Sequence, residues 1–115
     1  MKIVVDKEMS VNQLARAFNE IYPFLKIEVY HRGNEMSTDA FHTLNDISSL
    51  KNPSVFIISP NMTIEQIEEY FWEKLGLQIS VFRKVGNSWI HTAFTNKWTL
   101  ERQNDIGRNI YSSIV

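Results

Sequence analysis

The chain has 115 residues, 43% of them hydrophobic and 22% charged, the size and balance of one compact globular domain able to bury a core. Twelve basic against thirteen acidic side chains leave a formal charge of -1, so no global field draws the protein onto nucleic acid or an anionic membrane. There is no cysteine, which excludes disulfides, thiolate metal sites and cysteine nucleophiles together.

The apolar run in "MKIVVDKEMS" stops at Asp6, too short for a signal-peptide core or a membrane span, and a cytoplasmic setting is expected. Lys2 to Val5 reads as a first strand, after which Val11, Leu14, Ala15, Phe18 and Ile21 fall at helical spacing. Ser10 with Gln13 forms a capping-box pattern at the helix start, each side chain positioned to satisfy a free backbone N–H. Pro23 forces the preceding residue out of helical geometry, and "LKIEVYHR" follows as a second strand. The devices then recur. "VFIIS" is a third strand, Thr63 with Gln66 a second capping box, and Ile64, Ile67, Phe71 and Leu75 a second helical stripe. Gly76 supplies the stop by accepting left-handed geometry, and "LQISVFRK" is a fourth strand. Gly33-Asn34 and Gly86-Asn87 mark matching exits.

These halves, residues 1–35 and 54–88, separated by a polar connection over 36–53, predict an α+β fold. It is a ferredoxin-like β-α-β-β-α-β pseudo-repeat with an added C-terminal strand and helix over 89–115, mainly antiparallel and a single domain over 1–115. "SWIHTAF" is the added strand, in a hairpin with the fourth, and "TLERQNDIGRNIYSSIV" the added helix, capped by Thr99. In one sheet, Ile3, Val5, Ile27, Val29, Phe56, Ile58, Ile79 and Val81 point at the first two helices. Val4, Tyr30, Val55, Ile57 and Phe82 then face the other way, and the third helix is expected to cover them. A rival topology gives each half its own β-α-β-α unit, because "TLNDISSL" at 43–50 echoes "TLERQNDI" at 99–106.

The third helix is polar along its inward stripe, where Gln103, Asn104 and Gly107 lie between Leu100 and Tyr111. Gly107 marks a close approach, a kink or an early end, and the two amides are expected at a solvated edge unless partners are found for them. His31, His42 and His91 share no metal-ligand spacing, and no catalytic motif is present; neither a metal, a cofactor nor a catalytic residue is expected. Glu65, Glu68, Glu69 and Glu73 read as the solvated face of the second helix. In the connection, Leu44, Ile47 and Leu50 suggest a short helix, with Met36 and Phe41 as candidates to dock on the sheet.

Tyr30 and Phe82 beside Arg32, Arg83 and Lys84 superficially fit an aromatic platform for RNA. Against it, the first and third strands, the expected central pair, offer Val4, Val55 and Ile57 on that face, and the basic-glycine-aromatic signature of such modules is absent. No nucleic-acid and no membrane partner is expected.

The segment "VFRKVGNSWIHTAFTNKWTLERQNDIG" resembles one shared by a family of small Bacteroidetes proteins in which a glycine-asparagine turn, a tryptophan strand and a "WTLExQN" helix start recur. The carriers are Gly86, Asn87, Trp89, Thr95, Trp98, Thr99, Leu100, Glu101, Gln103 and Asn104. The likeness covers the second half of the chain, and it implies a bacterial origin and no particular activity. The sequence thus points to a non-catalytic binding module whose partner is another protein or its own copy, with Trp89, His91, Trp98, Gln103 and Asn104 as candidate contacts. The alternative is a small-molecule or hydrolytic site built from His91, Gln103 and Asn104.

Overall fold

The computed structural model describes residues 2–31, 34–35 and 42–114. Arg32, Gly33, Met36 and Phe41 lie outside the described residues. The elements run β1 (Ile3–Val5), α1 (Val11–Ile21), β2 (Leu25–His31), β3 (Asn34–Glu35), α2 (Leu44–Ile47), β4 (Phe56–Ile58), α3 (Ile64–Leu75), β5 (Gln78–Val85), β6 (Ser88–His91), a 3-10 turn (Ala93–Thr95) and α4 (Leu100–Ile114). This is an α+β fold compatible with a ferredoxin-like β-α-β-β-α-β order, carried by β1, α1, β2, β4, α3 and β5, with β3 and α2 inserted between the halves and β6 and α4 added, and every strand pairing among the described residues is antiparallel.

Both anticipated capping boxes form. Ser10 Oγ accepts from Gln13 N at 3.1 Å while Gln13 Oε1 accepts from Ser10 N at 2.8 Å. Thr63 Oγ1 and Gln66 Oε1 make the same exchange at 3.2 and 2.9 Å. Such a cap stabilises a helix by roughly 1 kcal/mol. A third box, Thr43 with Asp46, starts α2, and its hydrogen bonds from Thr43 hold the Asp46 carboxyl below the ordinary aspartate range. Thr99 Oγ1 accepts from Arg102 N at 3.2 Å at the start of α4. Gly76 ends α3 in left-handed geometry at φ 63°.

All eight inward residues expected on the first four strands are buried, in one cluster with Leu14, Phe18, Ile67 and Phe71 from the helices. The strands carrying them form two sheets rather than one. β1 pairs with β4 through Ile3↔Ile58 and Val5↔Phe56. β2 pairs with β5 from Leu25↔Arg83 to Tyr30↔Gln78, giving the order β3-β2-β5-β6. β1 and β4 are three residues each and pair with one another rather than with the longer strands. The added strand also ends early: Thr92 still gives its N–H (3.2 Å) and its hydroxyl (2.7 Å) to Val81 O, but leaves extended geometry at φ -92° and ψ 19° to open the 3-10 turn.

The helix that follows each hairpin docks in the same way in both halves. Val11 N donates to His42 O (3.1 Å) and Leu44 N to Met9 O (2.8 Å); correspondingly, Ile64 N donates to Trp98 O (3.2 Å) and Leu100 N to Met62 O (2.9 Å). The echo between residues 43–50 and 99–106 therefore has a structural counterpart. The docked helices also close the opposite half: Ser48 Oγ donates to Leu75 O, Ser49 Oγ to Gly76 O at 2.8 Å, and Asn104 Oδ1 accepts from Phe24 N at 3.0 Å.

The expected cover over the second sheet face is absent from α4. It packs on β5 and β2 from the side of Val81, since Gln103 bonds Arg83 and side chains at 79, 81 and 83 share one face. The reason is the docking at Met62, which fixes the start of α4 on the helical side. Val4, Val55 and Ile57 consequently stay open, at 54%, 54% and 49% exposure.

Gly107 is a point of close approach, and α4 continues through it to Ile114. A Cβ there would sit 2.8 Å from Phe24 Cβ and 3.3 Å from Arg83 Cγ. Alanine recovers about 1 kcal/mol of helix propensity but overpacks by about 1–3 kcal/mol. Gly107→Ala is expected to lower stability by about 1 kcal/mol, read as a lower urea midpoint at unchanged slope.

Candidate functional site

Alternation along the strands puts Lys26, Glu28 and Tyr30 of β2 on the sheet's outer face, with Ser80, Phe82 and Lys84 of β5. β6 extends this face, because Trp89 pairs with Lys84 and His91 with Phe82. Lys26 Nζ lies 5.2 Å from the Phe82 ring centre and 5.4 Å from that of Trp89. Lys84 Nζ lies 6.0 Å from Trp89 and 5.4 Å from Tyr111. Glu28 accepts from Lys26 (3.2 Å) and from the Tyr30 hydroxyl (3.2 Å). Beside this face a groove of about 480 Å³ runs between α1 and β2, lined by Arg16, Asn19, Lys26, Glu28 and Trp89 among others.

His91 stands edge-on to Phe82, with ring centres 5.1 Å apart. Its Nδ1 accepts from Ala93 N at 3.0 Å, which leaves the proton on Nε2, 3.1 Å from Ser80 Oγ. Burial pushes the nearby Glu68 carboxyl above the ordinary glutamate value, and His91 opposes the shift when it is protonated.

Gln103 and Asn104 lie on the opposite, helical side, so His91 does not converge with them. Both are buried, at 0% and 5% exposure, rather than at a solvated edge. Gln103 Oε1 accepts from Arg83 Nη1 at 2.8 Å, and its Nε2 donates to Thr95 O (2.8 Å) and Thr95 Oγ1 (2.7 Å). A guanidinium and the 3-10 turn both enter the core edge here and need partners, which an amide supplies from one side chain. Arg83 Nε remains without a partner among the described residues, and burial lowers the pKa of the group. The half-buried Trp98 ring carries Arg102 at 4.1 Å and Arg83 at 5.7 Å. Of the five candidate contacts, then, Trp89 and His91 share a surface, Trp98 sits beside the buried pair, and Gln103 and Asn104 are committed to structural bonds.

Sequence reasoning passed over Phe94 and Ile90. Phe94, in the 3-10 turn, is fully exposed (103%), and Ile90 on the outermost strand is 40% exposed. The one available signal is that "TAFTNK" places a large apolar residue among turn formers, where no periodicity calls for it.

Among the described residues no group of three or more His, Cys, Asp or Glu side chains could hold a metal ion, and no helix is long and apolar enough to cross a membrane. No family model, curated protein or solved structure matches the chain.

Gln103→Leu removes the acceptor of Arg83 and the donor to Thr95, and is expected to lower stability by about 1–3 kcal/mol. A urea titration checks this, and adding Arg83→Met should recover part of the loss. Glu68, with its folded pKa raised, contributes stability below the ordinary glutamate range and loses it as pH rises through the folded value. Glu68→Gln should therefore raise the melting temperature at neutral pH, with the gain shrinking under acid conditions.

Proposed function

We propose that the protein is a non-catalytic binding module that engages a protein partner, or a second copy of itself, through β6 and the turn that follows. The observation that carries this reading is the full exposure of Phe94 beside the exposed Ile90. An aromatic ring held out in solvent at a structured turn is the form that interface anchors take. β6 is also an edge strand, and "SWIH" contains neither lysine nor proline, the residues that usually guard such an edge against pairing. A strand added there extends the sheet by main-chain hydrogen bonds, while His91 and Trp98 flank the contact. The near-neutral formal charge of -1 leaves little repulsion between two copies.

The proposal takes the protein to be cytoplasmic and bacterial, the latter on the resemblance of its C-terminal segment. Light scattering over rising protein concentration tests it, with Phe94→Ser and Ile90→Lys expected to weaken association by about 2 kcal/mol or more, the scale of an anchor residue. If the protein stays monomeric at high concentration, self-association is wrong. If lysate capture is then also equal for the native chain and Phe94→Ser, the interface is wrong.

A further inference from the structure

In the single-sheet order expected from the sequence, the central strands present only aliphatic side chains on the outer face. The actual order puts β2 and β5 at the centre and adds β6, which gathers the rings of Phe82 and Trp89 with the ammonium groups of Lys26 and Lys84 on one surface. We propose that this surface binds single-stranded nucleic acid, with bases stacking on Trp89 and Phe82 and phosphates meeting Lys26 and Lys84. This goes beyond the interface reading and uses the face of β6 opposite to Ile90, with neither Ile90 nor Phe94 in the site.

Three features carry it. Phe82 and Trp89 are half-buried, on adjacent strands at an open face, so each offers ring area that an unpaired base can cover. Among the described residues Lys84 has no carboxylate partner, and Glu28, the acid beside the two rings, is engaged by Lys26 and Tyr30, while Glu35 pairs with Tyr30 in the β2–β3 ladder at the far end of the face. Around the two rings Lys26 and Lys84 stand against Glu28, which leaves one net positive charge on the patch, whereas the chain as a whole carries -1. Finally, the groove between α1 and β2 starts at Trp89 and Lys26 and carries Arg16, giving a backbone a charged path away from the stacking rings.

The alternation selects the ligand class. A duplex hides its base faces and cannot stack on a sheet, while an acidic peptide satisfies the lysines and leaves the rings uncovered. Lys26 over the two rings is a weak contact at a partly exposed site, and turning its head group to a phosphate exposes the platform at the loss of its pair with Glu28, which then keeps the Tyr30 hydroxyl.

The test is fluorescence anisotropy of labelled oligothymidylate and oligouridylate at low salt. The expected result is saturable binding that weakens with salt. Trp89→Ala and Phe82→Ala should each reduce affinity about fivefold or more, and Trp89→Phe should retain most of it. Lys84→Gln should flatten the salt dependence by about one unit of slope. Trp72→Ala, on α3 and 63% exposed, should change nothing. Binding no tighter than about 10⁻⁴ M at low salt overturns the proposal. So does equal affinity for duplex DNA or polyglutamate competitor, or an unchanged affinity in a Trp89→Ala protein whose urea midpoint shows it folded. Phe94→Ser addresses the interface reading alone, so the two fail separately.

Discussion

Six residue pairs between β2 and β5 join two halves that could not close a core alone. Each half offers amphipathic helices and strands with one apolar face, and neither buries that surface without the other. Leu25, Ile27, Val29, Ile79 and Val81 line the shared ladder and are all buried. Pairing Ile27 with Val81 and Val29 with Ile79 relates the two halves by a local two-fold. A slip of one residue along this ladder would turn Lys26 and Phe82 inward and the aliphatic set outward, so the register is held by the core itself.

The pseudo-symmetry stops where polar chemistry begins. After the matched residues Leu44 and Leu100, the next inward position is Ile47 in one helix and Gln103 in the other. The first closes an apolar contact. The second carries a three-bond network to Arg83 and Thr95, and α4 runs eleven residues longer than α2, as fifteen against four. Around that network lie the half-buried Trp98 and the exposed Phe94.

Much of the core was legible in the sequence, because it rests on local signals. The caps at Ser10 and Thr63 depend on residues three apart, the stop at Gly76 on one backbone angle, and the eight inward strand residues on a period of two. What was not legible depended on how strands find each other across the chain. The pairing of β2 with β5 and the placement of α4 on the helical side follow from long-range contacts that no spacing reports. The burial of Gln103 was missed for the same reason: its partners are twenty and eight residues away. Among the candidate contacts, Trp89 and His91 do share a face, but Phe94 carried no pattern to mark it.

The exchange at the helix ends has a further consequence. Ser48 and Ser49 of the first half close the C-terminus of α3 in the second, and Asn104 of the second half holds the chain just beyond α1 in the first. Each half thus supplies the stopper for its counterpart, as two subunits of a symmetric dimer do. The connection between α2 and β4 acts as a tether, replacing a concentration-dependent encounter with an intramolecular one. Cut there, the chain becomes a two-component assembly whose recombination is driven by the same ladder and the same reciprocal helix ends.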